Sequence, residues 1–432
     1  MSKQFQRTRR RGWICADCGV LNDPQARICR ECHVPRRVEV PQERQPLSHT
    51  RRNILIAGAV IAGGGLGAFA WKELQDWRHS QPVLSVLLDS RMAVDNADPL
   101  AWAPDGKQFA CAISLDTMTQ NQLMLLDSAS GKPLWTRDYQ GYWIQALAWS
   151  HSGRWLALAC MPYERAGSNA FTLTLQIWQT QDWMLLKEYP LSTNEHYMVP
   201  NLVWAPDETR LGITLVPEGG SNSSVASIQI WDALRGEVLR ELRPIASASE
   251  MFLSWSPHGD MCATGGQEGA LTLWDAGSGT SLFSRAPDSP PAYTGATGQV
   301  PLLTSTPAAA MSPDWSRAAI YINDRGQLSI QVWDMHAGRP LFRCQQISGQ
   351  QGNLTWSPDG KYLAASGTDN GDTVHLWDAG SGALLFTYHT LILPQNLSWS
   401  PDSRSLALIA YSQPSFFRAP PRKSVLQIFA VG

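Results

Sequence analysis

No GxSxG, HExxH or Walker-type sequence occurs in this chain, and its nine histidines are dispersed. The recognised signatures of a nucleophile elbow, a helix-borne zinc site and a phosphate loop are therefore missing. That leaves, as an enzyme reading, only a site gathered from distant segments. Cysteine is sparse as well: eight residues, of which Cys111, Cys160, Cys262 and Cys344 are widely separated. Such scatter is no disulfide framework. Cys111, Cys160 and Cys262 sit in apolar, strand-like runs and read as buried small hydrophobes. The acidic TDNGDT at 368–373 lacks the spacing of a dedicated calcium loop and reads as a turn. Charge is low too, at 17% of 432 residues with a net charge of −2. The small net value hides an asymmetry. Residues 1–53 hold twelve Lys/Arg against five Asp/Glu, and the remainder holds twenty-three against thirty-two. A basic head and an acidic body point to different surroundings or partners.

The other four cysteines fall within eighteen residues as two CxxC pairs, Cys15/Cys18 and Cys29/Cys32. A CxxC turn aims two thiolates at one point, and two such pairs complete a tetrahedral zinc site. So short a segment cannot build an apolar core, so the metal would supply its folding energy. Redox CxxC motifs or two disulfides are the alternatives, but no βαβ pattern surrounds the cluster. The full spacing is W-x-C-x2-C-x3-N-x6-C-x2-C, on Trp13, Cys15, Cys18, Asn22, Cys29 and Cys32, with Pro35-Arg36 following. Over about residues 10–37 it resembles the Ran-binding-protein zinc finger family. The resemblance implies one structural zinc on the four cysteines. It also implies that Trp13 packs over the knuckle and that Asn22 ties its two hairpins together. Members of that family bind ubiquitin or single-stranded RNA. Gly19-Val20 stands where ubiquitin binders carry Thr-Phe, and Asp23, Gln25 and Ala26 stand at the RNA-reading places. The finger's ligand is therefore left open. The basic run Arg7, Arg9, Arg10 and Arg11 suits membrane orientation and lipid contact better than nucleic acid.

A linker over 38–53 leads to ILIAGAVIAGGGLGAFAW, residues 54–71, eighteen residues without a charge. At ~1.5 Å per residue a helix there spans about 27 Å, enough for a bilayer core. Arg51 and Arg52 precede it and Trp71 ends it, which by the positive-inside rule places the finger in the cytoplasm and the body outside. Gly63 and Gly67, with Ala59 before them, offer a small-residue face for helix packing. Two other readings compete. TRRNILI (50–56) resembles a twin-arginine export signal, and Ala68-Phe69-Ala70 would then be a cleavage site. The run GGGLG imitates a dinucleotide loop, but without strand–turn–helix context. An uncleaved single-pass anchor is the reading preferred here, because cleavage would discard a folded metal module. Both modules on the cytoplasmic side is a further arrangement.

From residue 82 the chain repeats. LAWAPDG (100–106), LAWSHSG (147–153), LVWAPDE (202–208), LSWSPHG (253–259), AAMSPDW (309–315), LTWSPDG (354–360) and LSWSPDS (397–403) are seven copies starting 43 to 56 residues apart. Six tryptophans occupy the first recurring position, and five occupy a second that ends a later strand: Trp178, Trp231, Trp274, Trp333 and Trp377. Pro-Asp-Gly makes a tight turn. The strand-ending Asp is followed four residues later by Gly in five copies: Asp127/Gly131, Asp232/Gly236, Asp275/Gly279, Asp334/Gly338 and Asp378/Gly382. The tryptophans are expected to fill the space between sheets. Four short strands per repeat, seven times over, predict an all-β, seven-bladed β-propeller. The motifs resemble those of the WD-repeat family over about 82–432, although the family's Gly-His dipeptide is missing from most copies. The chain stops at a third strand, so 82–89 is expected to supply the last outer strand and close the ring.

The insertions gather on the second-to-third and fourth-to-first connections: 161–171, 189–200, 216–226, 286–307 and 411–424. Loops elaborated on one face carry function. The last combines Tyr411, Phe416 and Phe417 with Arg418, Arg422 and Lys423, a pairing suited to an interface anchor. A loop folded over its own blade would use the same residues. The expectation is a membrane-anchored, non-catalytic scaffold: the propeller binds a protein, with glycan as a second ligand class, and the finger recruits another partner. An exported enzyme or small-molecule sensor with a site on the propeller axis is the alternative. Clustered polar residues at the axis would favour it.

Overall fold

The computed structural model describes residues 13–14, 21–22, 82–88, 99–115, 120–162, 172–192, 197–217, 227–243, 250–266, 270–285, 309–324, 327–344, 351–367, 373–389, 393–411 and 424–431. The chain divides into two units, Met1–Lys72 and Glu73–Gly432. In the first, Trp13–Ile14 and Leu21–Asn22 pair antiparallel, with Trp13 opposite Asn22 and Ile14 opposite Leu21. The zinc-ligand candidates Cys15, Cys18, Cys29 and Cys32, the basic linker and the apolar run 54–71 lie outside the described residues. Among the described residues no helix is long and apolar enough to cross a membrane.

The second unit is seven antiparallel four-stranded sheets. Blade 1 is Leu100–Trp102, Gln108–Ser114, Gln120–Asp127 and Pro133–Gln140; blade 2 is Tyr142–Trp149, Trp155–Pro162, Thr172–Gln179 and Met184–Ser192. Blades 3 to 6 follow in the same order, starting at Tyr197, Glu250, Ala309 and Gln351. Blade 7 takes Leu393–Trp399, Ser405–Tyr411 and Ser424–Ala430 from the C-terminus and Leu84–Leu88 from far upstream. Leu84 stands opposite Ile428 and Leu88 opposite Ser424. Without Leu84–Leu88 the strand Ser424–Ala430 would be a bare edge.

Burial follows position in the blade. Second strands are covered on both faces, as in Trp155–Pro162, whose Leu156 to Cys160 are all 0% exposed. Outer strands are open, as in Glu237–Leu242, where only Leu242 is buried. Continuous apolar runs suit the former and mixed sequence the latter.

The turns show why each repeat needs its glycines. Gly106, Gly153, Gly259 and Gly360 close the first turn of their blades with φ between 70° and 73°. In blades 3, 5 and 7 the same place holds Glu208, Trp315 and Ser403, at φ of 56°, 61° and 60°. In the third-to-fourth turns, Gly131, Gly236, Gly279, Gly338 and Gly382 each donate N–H to the carbonyl of the Asp four residues earlier, at 2.8–2.9 Å. Side-chain hydrogen bonds from Ser130, Ser278 and Ser381 hold the Asp127, Asp275 and Asp378 carboxyls below the usual carboxylate range.

Some of these glycines also admit a neighbour. A Cβ on Gly236 would fall 2.2 Å from the ring of Tyr189, on the outer strand of the preceding blade. A Cβ on Gly338 would meet nothing within 4 Å. Gly338→Ala is therefore expected to cost about 1 kcal/mol for the left-handed backbone alone, and Gly236→Ala roughly 2–3 kcal/mol because Tyr189 must also move. Urea midpoints of the two variants check the difference; equal values would contradict it.

Candidate protein-interaction surface

Because strands alternate in direction, first-to-second and third-to-fourth connections share one end of the ring. Every connection at this end is four or five residues long, for example 103–107, 205–209 and 379–383. At the other end the lengths run from one residue (Gly141) to twenty-three (286–308). All variation is thus confined to one face. Some sequence-predicted insertions shrink. Of 189–200 only 193–196 connects strands, because Leu191 and Val199 are 2% and 1% exposed in a shared core with Trp204. The alternation of apolar residues at 189, 191, 197 and 199 was the available signal. The connection 89–99, a further long segment on this face, was missed.

The predicted anchor residues divide. Tyr411 ends the second strand of blade 7, opposite Leu393 on one side and Ser424 on the other. Phe416, Phe417, Arg418, Arg422 and Lys423 lie outside the described residues. Both roots of the loop that carries them are therefore fixed in the sheet at the variable face.

The constant face is occupied by its own interactions. Arg210 donates to the Gly259 carbonyl at 2.6 Å, and its guanidinium lies 5.0 Å from the Trp255 ring centre. Arg317 repeats the arrangement two interfaces on, between blades 5 and 6, bonding the Gly360 carbonyl at 3.3 Å over Trp356. Glu208 accepts from the Ser152 hydroxyl at 2.8 Å, and Ser403 accepts from the Asp359 N–H at 3.0 Å.

Beneath that face runs a chain of indole bonds that the sequence spacing did not show. Trp102 donates to the Ser398 carbonyl, Trp149 to Ala101, Trp204 to Ala148, Trp255 to Val203 and Trp356 to Ala310, at 3.0–3.2 Å. Each acceptor directly precedes the recurring position in the blade before. The first of these bonds ties blade 1 to blade 7. At blade 5 Met311 replaces the tryptophan, and in blade 7 the Trp399 N–H has no partner among the described residues.

Toward the variable face, amides bridge the inner strands. Gln145 accepts from the Val199 N–H at 2.6 Å, and Asn353 donates to Asn396 at 3.3 Å. Among the described residues no group of three or more His, Cys, Asp or Glu could hold a metal. The amides are neutral and engaged in structure, so they provide neither a general base nor a nucleophile. Cys111, Cys160, Cys262 and Cys344 are all buried. Burial pushes the Cys262 and Cys344 thiols up to about 12 and raises that of Cys160 as well. These three are expected to resist alkylation at pH 8 until the protein is unfolded, because the thiolate is the reactive form. Mass mapping before and after guanidinium checks this.

Comparison with known proteins agrees with this architecture. The family model "WD domain, G-beta repeat" matches residues 247–275 and 345–378. WD repeat-containing protein srw1 of Schizosaccharomyces pombe is 26% identical over 219 residues, covering 50% of this chain and 33% of that protein. Cell division cycle 20.1, cofactor of APC complex, from Arabidopsis thaliana is 24% identical over 216 residues, covering 48% and 41%. The chain thus spans less than half the length of these relatives. A chain in the crystal structure of the mitotic checkpoint complex superposes with a TM-score of 0.56 at 18% identity, over 82% of this chain and 92% of that one. The Cps50 (Swd1) β-propeller domain of Myceliophteria thermophila gives 0.56 at 14% identity, over 81% and 100%. At such identities the solved structures speak for the fold alone. Recurring turns and seven sheets agree with these matches: from residue 82 the chain is a seven-bladed β-propeller, and segments of its fourth and sixth blades match the WD-repeat model.

Proposed function

We propose that this protein is a non-catalytic, membrane-anchored scaffold that holds a protein partner on the variable face of its propeller. The observation that carries the reading is the contrast between the two faces. Seven first-to-second connections are all five residues long, whereas the opposite face varies from one to twenty-three. A platform needs a rigid body with variable loops on one side. Relatives are named as a cofactor of the APC complex or appear in a mitotic checkpoint complex, which are protein assemblies. The loop between Tyr411 and Ser424 supplies Phe416, Phe417, Arg418, Arg422 and Lys423 as anchor.

In the same reading, residues 54–71 span the bilayer once, the finger stays in the cytoplasm and the propeller stands outside. Cys15, Cys18, Cys29 and Cys32 hold one zinc. The pairing of Trp13 with Asn22 supports this, since the hairpin brackets Cys15 and Cys18 in the chain. All four donors are soft thiolates, as structural zinc prefers. Protease protection on intact cells, with antibodies to each end, tests the arrangement. Cleavage of the propeller with protection of the finger is expected; protection of both ends would overturn the orientation. Cross-linking with the wild-type chain and with Phe416→Ala/Phe417→Ala tests the platform. Adducts that persist in the variant would remove this loop from it.

A further inference from the structure

Every second strand starts at the constant face. Around the ring its first residue is Gln108, Trp155, Arg210, Met261, Arg317, Tyr362 and Ser405. Three of these side chains cover the first tryptophan of the next blade. Arg210 lies 5.0 Å from the Trp255 ring centre, Arg317 lies 5.0 Å from that of Trp356, and Tyr362 stacks on Trp399 at 6.2 Å. Ser405, where blade 7 meets blade 1, is the shortest of the seven. Its neighbour in blade 1 is Trp102, whose indole bonds the Ser398 carbonyl as that of Trp255 bonds Val203. A cavity of about 620 Å³ lies at this interface, with Trp102 and Ser405 among its walls.

The two blades are no farther apart here than elsewhere. A Cβ on Gly106 would lie 3.7 Å from Pro401, and one on Gly360 would lie 3.7 Å from Pro313, where Arg317 fills the interface. The space is therefore left by the short side chain and not by the backbone. The groups that hold a guanidinium at the other interfaces are nevertheless present. Arg210 pairs with Asp207 of its own turn at 2.6 Å and bonds the Gly259 carbonyl, and Arg317 bonds the carbonyls of Gly360 and Ala379. Their counterparts are the Asp402 carboxylate and the carbonyls of Gly106 and Ser128, all on residues that line the cavity. The Gly106 carbonyl accepts from the Ser128 hydroxyl at 2.9 Å and keeps a second lone pair. Exposed Asp105, in the first turn of blade 1, adds another carboxylate. Hydrogen bonds from the Ser400 hydroxyl and the Arg404 N–H hold the Asp402 carboxyl below the usual carboxylate range, so it is charged at neutral pH. Lys107 and Arg404 stand two residues along the chain from these carboxylates, but among the described residues neither Asp105 nor Asp402 forms an ion pair.

These groups fit a planar cation. A guanidinium stacks on an indole face while donating in its plane to carbonyls and carboxylates, and an ammonium has no such plane. Apolar Leu84 and Ile428 line the rest of the cavity and suit a methylene stem. We propose that the cavity between blades 7 and 1 is an arginine-binding site, taking the side chain of an arginine on a protein partner in the place that Arg210 and Arg317 fill from within the chain. The site stands on the constant face, opposite the loop platform, and does not depend on it.

The test uses the full chain in detergent micelles, labelled with 5-fluorotryptophan and followed by fluorine NMR. The Trp102 signal is identified by its loss in Trp102→Phe. The probe is the peptide acetyl-Gly-Gly-Arg-Gly-Gly-amide, with citrulline or lysine in place of arginine as controls. A saturable shift of the Trp102 signal is expected with the arginine peptide, and a response about tenfold weaker or less with the other two. Asp105→Asn/Asp402→Asn is expected to raise the half-saturating concentration about tenfold, the loss of two exposed charge pairs. Ser405→Arg carries its own guanidinium into the cavity. It is expected to shift the Trp102 signal without peptide, to abolish the response to peptide and to keep or raise the thermal midpoint. Absence of a saturable shift in the wild-type chain, or an equal response to the citrulline peptide, overturns the site. An equal response to the lysine peptide overturns the assignment to arginine. A response that survives in a cooperatively melting Ser405→Arg variant removes binding from this cavity. Should that variant fail to melt cooperatively, an unchanged affinity in Asp105→Asn/Asp402→Asn overturns the site by itself.

Discussion

Trp204→Ala is expected to destabilise the propeller by about 3–5 kcal/mol, the usual cost of emptying a fully buried aromatic site. Trp204 is 1% exposed and packs with Leu202, Leu211, Ile213 and Trp231. Its indole also bonds the Ala148 carbonyl across the interface to blade 2. The milder Trp204→Phe keeps most of the ring but loses that bond, at a cost of about 1 kcal/mol. Trp399→Phe occupies the same repeat position in blade 7, yet the Trp399 N–H has no partner among the described residues. Removing an unsatisfied buried donor is neutral or stabilising. The two Phe variants should therefore differ in sign or nearly so. Guanidinium titration followed by far-UV circular dichroism reads all three. Equal losses for both Phe variants would show that the indole bonds contribute nothing.

The second large effect concerns ring closure. Deleting residues 82–89 is expected to abolish the cooperative unfolding transition and to send the chain into aggregates. Leu84, Val86 and Leu88 pack in a cluster with Phe109, Leu426 and Ile428. Leu88 is buried and Leu84 and Val86 are half-buried; at roughly 1.5–3 kcal/mol for a fully buried apolar side chain and about half that for the other two, their joint loss is about 3–6 kcal/mol, comparable with the lower end of an ordinary domain's stability of about 5–15 kcal/mol. It also leaves Ser424–Ala430 as an unpaired edge. Two neighbours lose support together, since a Cβ on Gly131 of blade 1 would lie 2.2 Å from Val86. Thermal melting and size exclusion measure the outcome, and a synthetic peptide of residues 82–89 added during refolding should restore part of the transition. A deletion variant that melts as the full chain does would mean that the ring closes without this strand.

Much of this architecture can be read along the chain because propeller repeats are local. Each turn needs its own left-handed residue, so Asp232/Gly236 and Asp378/Gly382 announce themselves four residues apart. Each blade needs a large ring at the same depth, so the tryptophans recur. Where the repeat is broken the reading weakens. Glu208, Trp315 and Ser403 hold the glycine position under strain, and only the Pro-Asp that precedes each of them keeps the turn legible. Tyr189, Leu191, Tyr197 and Val199 lie among polar residues that read as loop, yet they continue two strands, because burial against Trp204 overrides local preference.

Sequence alone determined the number of blades, the composition of each turn and the confinement of long connections to one class of junction. These follow from periodicities of two and of about fifty residues, which backbone sterics and strand alternation impose. Tertiary structure decided what each repeated residue touches. An indole N–H finds its carbonyl 46 to 56 residues away in most blades, but 296 residues away for Trp102 and Ser398, where the ring closes. It also decided that Trp102 and Ser405, far apart in the chain, line one cavity. Side chains that meet only because a ring has closed leave no periodic trace, since their proximity is a property of the circle and not of any segment within it.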